Sequence, residues 1–363
     1  MSPLHTLLRR QIETNGPVSV SDFMTECLCH PKHGYYMNRD PFGTKGDFTT
    51  APEISQCFGE LLGLWAAISW QQMGSPAQMH LVELGPGRGS LMSDALRATQ
   101  AVPGFHDALN IHLVEISPTL KEKQQASLKD CALKVSWHEN FSDIPEGPAL
   151  FIANEFFDAL PIRQFEKGEK GWAERFVDIE PEGEGLRFVL KSDEAALALM
   201  PKRLKDRNEA GLFEISPVSQ AIAFGLGQRI KEQGGAVLAI DYGHQEADFG
   251  ETLQALKDHK FAPVLETPGE ADLTAHVDFE TLAQSFVEGG AKTWGPMGQG
   301  EFLERLGIAQ RFQALLQTAN DDQRTSLIAA HKRLCSPEKM GSLFKVICAT
   351  HPDHPTPAAF EDC

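Results

Sequence analysis

The chain has 363 residues, 42% hydrophobic and 23% charged, which excludes a disordered or fibrous class and fits one large core carrying insertions. Its net charge of −17, from 33 Lys and Arg against 50 Asp and Glu, weighs against a nucleic-acid partner and permits a cationic substrate without indicating one. Seven cysteines without paired spacing argue against a disulfide framework and for a reducing cytoplasm, while no apolar run is long enough to span a bilayer and no secretory signal follows Arg9 and Arg10.

Leu4, Leu7, Leu8 and Ile12 recur at helical spacing up to Gly16-Pro17, and a second helix starts at Ser19 or Ser21. Cys27, Cys29, His30 and His33 can be read as a zinc cluster, but it has no second half elsewhere; no metal is expected. From His33 to Glu53 the composition turns to Gly, Pro, Asp and aromatic residues, which predicts a long loop. Helical spacing returns from Ile54 to Met73.

Buried strands are predicted at Met79–Leu84, Ile111–Glu115, Val135–His138, Ala149–Asn154 and Ala236–Asp241. Helices at Ser90–Thr99, Pro118–Leu128 and Pro217–Gln233 fall between them. This alternation predicts an α/β doubly wound sheet. Alternating apolar residues from Arg163 to Leu190 predict an inserted antiparallel β unit. Helices at about Asp278–Glu288 and Glu301–Ala330 and a strand at Leu343–Ala349 close the chain.

The first strand ends in HLVELGPGRGSLM, with Glu83 two positions before Gly85 and further glycines at Gly87 and Gly89. Glycines let a ligand approach the backbone, and the next helix points its N-terminus at it. A dinucleotide fingerprint needs GxGxxG; the GxGxG spacing and the adjacent Glu83 suit the ammonium and sulfonium of S-adenosylmethionine better than a pyrophosphate. Pro86 lies inside the turn. Glu115, ending the second strand, is either a ribose-binding carboxylate or a surface residue. Glu139, Asn140 and Phe141 follow the third strand where adenine would lie.

The fourth strand runs into NEFFDALP, which brings Asn154, Glu155 and Asp158 to the carboxyl edge of the sheet, where open α/β sheets bind ligands. Methyl transfer to nitrogen needs polar groups that orient the nucleophile and take its proton. A guanidinium, with its high pKa, would call for the Glu155 and Asp158 carboxylates; the plainer reading makes Asp158 a helix cap and Glu155 a solvated residue.

ELGPGRGSLM, NEFFDALPIRQF, IDYG at 240–243, ADLTAHVDF at 271–279 and MGSLFKV at 340–346, with HPKHGYY and PFGTKGDFTTAPEISQCFGELLGLW before them, together resemble the MidA family over nearly the whole chain. The resemblance implies a Rossmann-like class I methyltransferase sheet of seven strands, the last antiparallel, with S-adenosylmethionine as cofactor. It further implies symmetric dimethylation of an arginine in the 49 kDa-type subunit of complex I, a protein partner. It places Gly46, Asp47, Phe48, Thr49 and Glu53 in a loop covering cofactor or substrate, and His276 in the same family pattern without a role. Expected domains are residues 1–78 as N-terminal helices and covering loop, 79–162 with 213–350 as the core, and 163–212 as the β insertion. The rival readings are an assembly chaperone that only binds the cofactor and a small-molecule methyltransferase, since a cofactor turn does not see the substrate.

Overall fold

The computed structural model describes residues 2–38, 49–168, 171–192, 200–207 and 209–361. The chain divides into two units, one of residues 1–48, 158–221 and 246–278 and the other of 49–157, 222–245 and 279–363. The expected boundary after residue 78 thus lies thirty residues earlier. The cause is the helix α1 (Gln56–Gln72), which packs with the sheet unit.

The larger unit is built on seven strands: β1 (Met79–Leu84), β2 (Leu109–Val114), β3 (Val135–His138), β4 (Ala149–Asn154), β5 (Gly235–His244), β6 (Lys292–Gly298) and β7 (Phe344–Thr350). Their order is β3-β2-β1-β4-β5-β7-β6. The first five pair in parallel, and β7 runs antiparallel between β5 and β6. These seven strands and the antiparallel last one are as expected, within a sheet that has eight strands in all. Every residue of β1 and β4 is buried, which is why both read in the sequence as unbroken apolar runs.

Beside the sheet, α1 carries glycines at the two points where it meets α2 (Ser90–Thr99). A Cβ at Gly63 would come within 2.6 Å of the Ala95 carbonyl oxygen, and one at Gly59 within 2.8 Å of the Asp94 Cβ. This close packing fixes α2, whose N-terminus follows the glycine turn. The buried Glu60 of α1 anchors it further through Arg97 of α2 at 2.8 Å and Arg311 at 2.6 Å. Burial pushes the Glu60 carboxyl up, but the two guanidinium groups outweigh it and hold it below the usual range.

The smaller unit holds the helices Pro3–Asn15 and Val20–Cys29, the second capped by Ser19, whose side chain accepts from the Asp22 amide. The predicted β insertion forms from Arg163–Gly168, Gly171–Ile179 and Leu186–Lys191, joined by Gly211–Ile215 and by Val18–Ser19 from the N-terminal segment. A second, three-stranded sheet (Gln254–Lys257, Lys260–Ala262, Asp272–Thr274) lies where the sequence reads as loop. The loop predicted from His33 to Glu53 contains two single-turn helices, Tyr35–Asn38 and Ala51–Ile54, each too short to leave a periodic signal. Gly46, Asp47 and Phe48 lie outside the described residues.

Candidate active site

The turn between β1 and α2 has Gly85, Gly87 and Gly89 all at positive φ, 61°, 52° and 78°, a conformation costly for any other residue type. The Gly85 amide is held by the Val114 carbonyl at 3.1 Å, and the Gly89 amide by that of Pro86 at 2.7 Å. A Cβ at Gly85 would meet the Phe156 ring at 2.9 Å. Glu83, at the end of β1, is buried, and its Oε2 has no hydrogen-bond partner. Burial, with the nearby Glu115 charge, pushes its carboxyl up to about 8 against the Met92 amide. A buried carboxylate with an open oxygen beside a glycine turn is a site for a cation.

Glu115 is also buried, one residue past β2. Its Oε1 accepts the Ser117 amide at 2.8 Å and its Oε2 the Gln124 side-chain amide at 3.0 Å. A carboxylate fixed in this way at a strand end can accept from a ribose hydroxyl. Burial raises this carboxyl, opposed by the Ser117 amide, the Gln124 side chain, the Ile116 amide and the Lys121 charge. Beyond β3, Glu139 is exposed and lies 3.9 Å from Lys121, while the Asn140 side-chain oxygen is occupied by the amide and hydroxyl of Ser142, both at 3.0 Å. Phe141 is half-buried, its ring against Gly225.

At the end of β4, Asn154 is buried and donates to Glu155 Oε1 at 3.2 Å, leaving its own Oδ1 without a partner. Glu155 adopts φ 50°, rare for a non-glycine residue, and its Oε1 also accepts the Ala51 amide at 2.8 Å. The turn behind it is fastened by the buried Asp241 of β5, whose Oδ2 accepts the amides of Phe156 and Phe157 at 3.1 and 2.9 Å. The sequence motif IDYG carried this residue, but nothing in its spacing revealed the clamp. Glu53 reaches the cofactor turn, accepting from the Ser90 hydroxyl at 2.5 Å and lying 3.6 Å from Arg88. The preceding Thr49 carbonyl accepts from Arg333.

Among the described residues, two predicted ones belong to the smaller unit. Asp158 is buried there, its carbonyl accepting the Ala275 amide at 3.0 Å, and His276 donates its amide to the Thr252 hydroxyl at 2.9 Å, a contact that braces its loop. In the same unit Tyr36 donates to Asp272 at 2.7 Å. The Cys27 thiol is buried and pushed up to about 12, and His30 Nδ1 accepts the amides of Lys32 and His33. These groups are not gathered as ligands: among the described residues the one such trio is Glu304, His331 and Cys335.

Sequence reasoning also missed a chain of three imidazoles across β1, β2 and β3. His80 Nδ1 lies 2.8 Å from His112 Nε2, and His112 Nδ1 lies 2.9 Å from His138 Nε2. His80 Nε2 faces the Glu146 carbonyl at 3.1 Å. That carbonyl only accepts, so His80 donates from Nε2 and each following ring does the same. The tetrapeptide HLVE occurs at both 80–83 and 112–115, the one textual sign of the pairing. Three positions apart on a strand, each histidine and glutamate face opposite sides of the sheet.

The open oxygens of Glu83 and Asn154, the glycine turn held at positive φ, and the buried Glu115 carboxylate fit a cofactor bearing an ammonium and a ribose. A parallel sheet with an antiparallel seventh strand around such a site defines a class I S-adenosylmethionine-dependent methyltransferase. Residues 61–297 match the family described as "Putative S-adenosyl-L-methionine-dependent methyltransferase". The chain is 41% identical over 93% of its length to the zebrafish (Danio rerio) protein arginine methyltransferase NDUFAF7, mitochondrial, covering 84% of that relative. It is 38% identical to the human (Homo sapiens) protein of the same name, over 95% of this chain and 82% of the relative. A crystal structure from Burkholderia thailandensis with S-adenosyl-homocysteine bound superposes with a TM-score of 0.86 at 27% identity, covering 99% of this chain and 94% of that one. The chain belongs to the MidA family of S-adenosylmethionine-dependent methyltransferases.

Proposed function

We propose that the protein transfers methyl groups to an arginine of another protein, in the cytoplasm, with a complex I 49 kDa-type subunit as substrate and symmetric dimethylation as product. The observation that carries this reading is the Glu155 carboxylate, held at the end of β4 by the Ala51 amide and the Asn154 side chain on a backbone at φ 50°. Strain of this kind persists where the surroundings enforce it, and it concentrates at functional sites. The names of the NDUFAF7 relatives support arginine as the acceptor.

Bound S-adenosylmethionine supplies an electrophilic methyl on a sulfonium. Glu83 would hold its ammonium, Glu115 its ribose hydroxyls, and the Gly85–Gly89 backbone would let it approach closely. Glu155 would hold a guanidinium by charge-assisted hydrogen bonds and take up the proton it releases. Purified protein incubated with labelled cofactor and the 49 kDa-type subunit tests the reading. Label should enter the subunit, and Glu155→Ala should lose transfer while keeping S-adenosylhomocysteine binding. Transfer that is undiminished in Glu155→Ala would remove Glu155 from the chemistry, and no transfer by the unaltered chain would remove the substrate.

A further inference from the structure

Gln124 of α3 (Pro118–Ser127) is fully buried and makes three side-chain hydrogen bonds. Its Nε2 donates to the Gly87 carbonyl at 2.8 Å and to Glu115 Oε2 at 3.0 Å, and its Oε1 accepts the Trp137 indole N–H at 2.9 Å. An indole N–H only donates, so it fixes which end of the amide is oxygen. Both amide hydrogens then fall on acceptors, one in the glycine turn and one on the ribose carboxylate. The Gln124 backbone lies against the turn as well, its Cα 3.3 Å from where a Cβ at Gly89 would stand. A buried glutamine with every donor used and its orientation set by a third residue is a rigid brace.

We infer that Gln124 is a positioning residue for the cofactor, locking the glycine turn and the Glu115 carboxylate into one register so that a ribose meets both oxygens already aligned. The inference rests on Glu115 as the ribose carboxylate. Gln124 holds Oε2 and the Ser117 amide holds Oε1, so the carboxylate is fixed through both of its oxygens. Trp137 acts one step further back, by orienting the amide. In the sequence Gln124 is an ordinary helix residue, since its partners lie 37, 9 and 13 positions away.

Calorimetric titration of the full chain with S-adenosylhomocysteine, and with its analogue lacking both ribose hydroxyls, tests this. Gln124→Met keeps the volume and removes both donors. It should bind S-adenosylhomocysteine about tenfold more weakly, the loss expected for one or two hydrogen bonds to a buried carboxylate and carbonyl. The loss for the analogue should be roughly threefold or less, because only the turn is then disturbed. Trp137→Phe, which leaves both donors in place but frees the amide to turn, should weaken S-adenosylhomocysteine binding by roughly threefold and keeps the test open should Gln124→Met fail to fold. Equal affinity in both variants, or equal losses for the two ligands, would overturn the inference and leave Gln124 a packing residue. Failure of the unaltered chain to bind S-adenosylhomocysteine would instead overturn the cofactor site itself.

Discussion

Glu155 Oε1 accepts the Ala51 amide at 2.8 Å while the Glu155 backbone is held at φ 50°. The bond joins the end of β4 to the helical turn Ala51–Ile54, and the left-handed backbone aims the carboxylate at the sheet edge. A residue with a Cβ gives up about 1 kcal/mol in this conformation. Glu155→Gly should therefore be more stable than Glu155→Ala by about that amount, although both lose the carboxylate and methyl transfer falls at least roughly a hundredfold in each. Thermal melting and label transfer on the two variants check the pair of expectations; equal melting temperatures would show that the site carries no backbone strain.

Glu83 predicts a pH dependence of cofactor binding. Its carboxyl stands at about 8 because it is buried, so at neutral pH without a cation it is largely protonated. Holding an ammonium requires the ionised form, and binding then releases a proton. Affinity for S-adenosylhomocysteine should accordingly rise as pH increases toward 8, approaching about tenfold per pH unit well below it. Glu83→Gln should bind more weakly with a flat profile. Titrations at pH 6, 7 and 8 decide the matter, and a flat profile in the unaltered chain would show that Glu83 does not contact the ammonium.

The turn itself predicts a steric effect. Gly85→Ala places a methyl 2.9 Å from the Phe156 ring at a φ of 61°, so it is strained both ways. We expect a stability loss of about 1–2 kcal/mol and a cofactor affinity lowered roughly a hundredfold. Phe156→Ala in the same background should recover part of the affinity by making room. A Gly85→Ala variant with unchanged affinity would mean that the turn does not approach the cofactor.

The imidazole chain predicts acid sensitivity. Burial, with the neighbouring His80, His138, Arg229 and Lys134, lowers His112 from the ordinary 6.5 to about 4. The unfolded chain then binds a proton that the folded one refuses between these values, so stability is full above pH 6.5 and is lost as pH falls toward 4. The loss attributable to His112 is up to about 3 kcal/mol. His112→Gln, whose amide can donate to His80 and accept from His138, should flatten the decline. Urea unfolding at pH 7 and pH 5 measures it; identical slopes for variant and unaltered chain would remove His112 as the cause.

The parts of this protein legible in its sequence are those where one local pattern carries the information. Ser90–Thr99, Val135–His138, Ala149–Asn154 and Pro217–Gln233 have the predicted bounds, because apolar period and flanking turns coincide there. The edge strand β6, KTWGPMG, did not show itself, since it is only partly buried and broken by Gly295-Pro296. The short strands from Gln254 to Thr274 offer three or four residues each, below any period. Glu83, Glu115, Asn154 and Glu155 were visible as carboxylates and an amide at strand ends. Gln124, Asp241 and His80 were not, because each acts on a residue distant in the chain, and only the assembled sheet brings those partners within reach.

The most direct test of the central claim is the intact mass of a purified complex I 49 kDa-type subunit, measured before and after incubation with this protein and S-adenosylmethionine. The account predicts a gain of two methyl groups, localised to one arginine by fragmentation and absent with Glu155→Ala. An unchanged mass from a preparation shown by calorimetry to bind S-adenosylhomocysteine would contradict it.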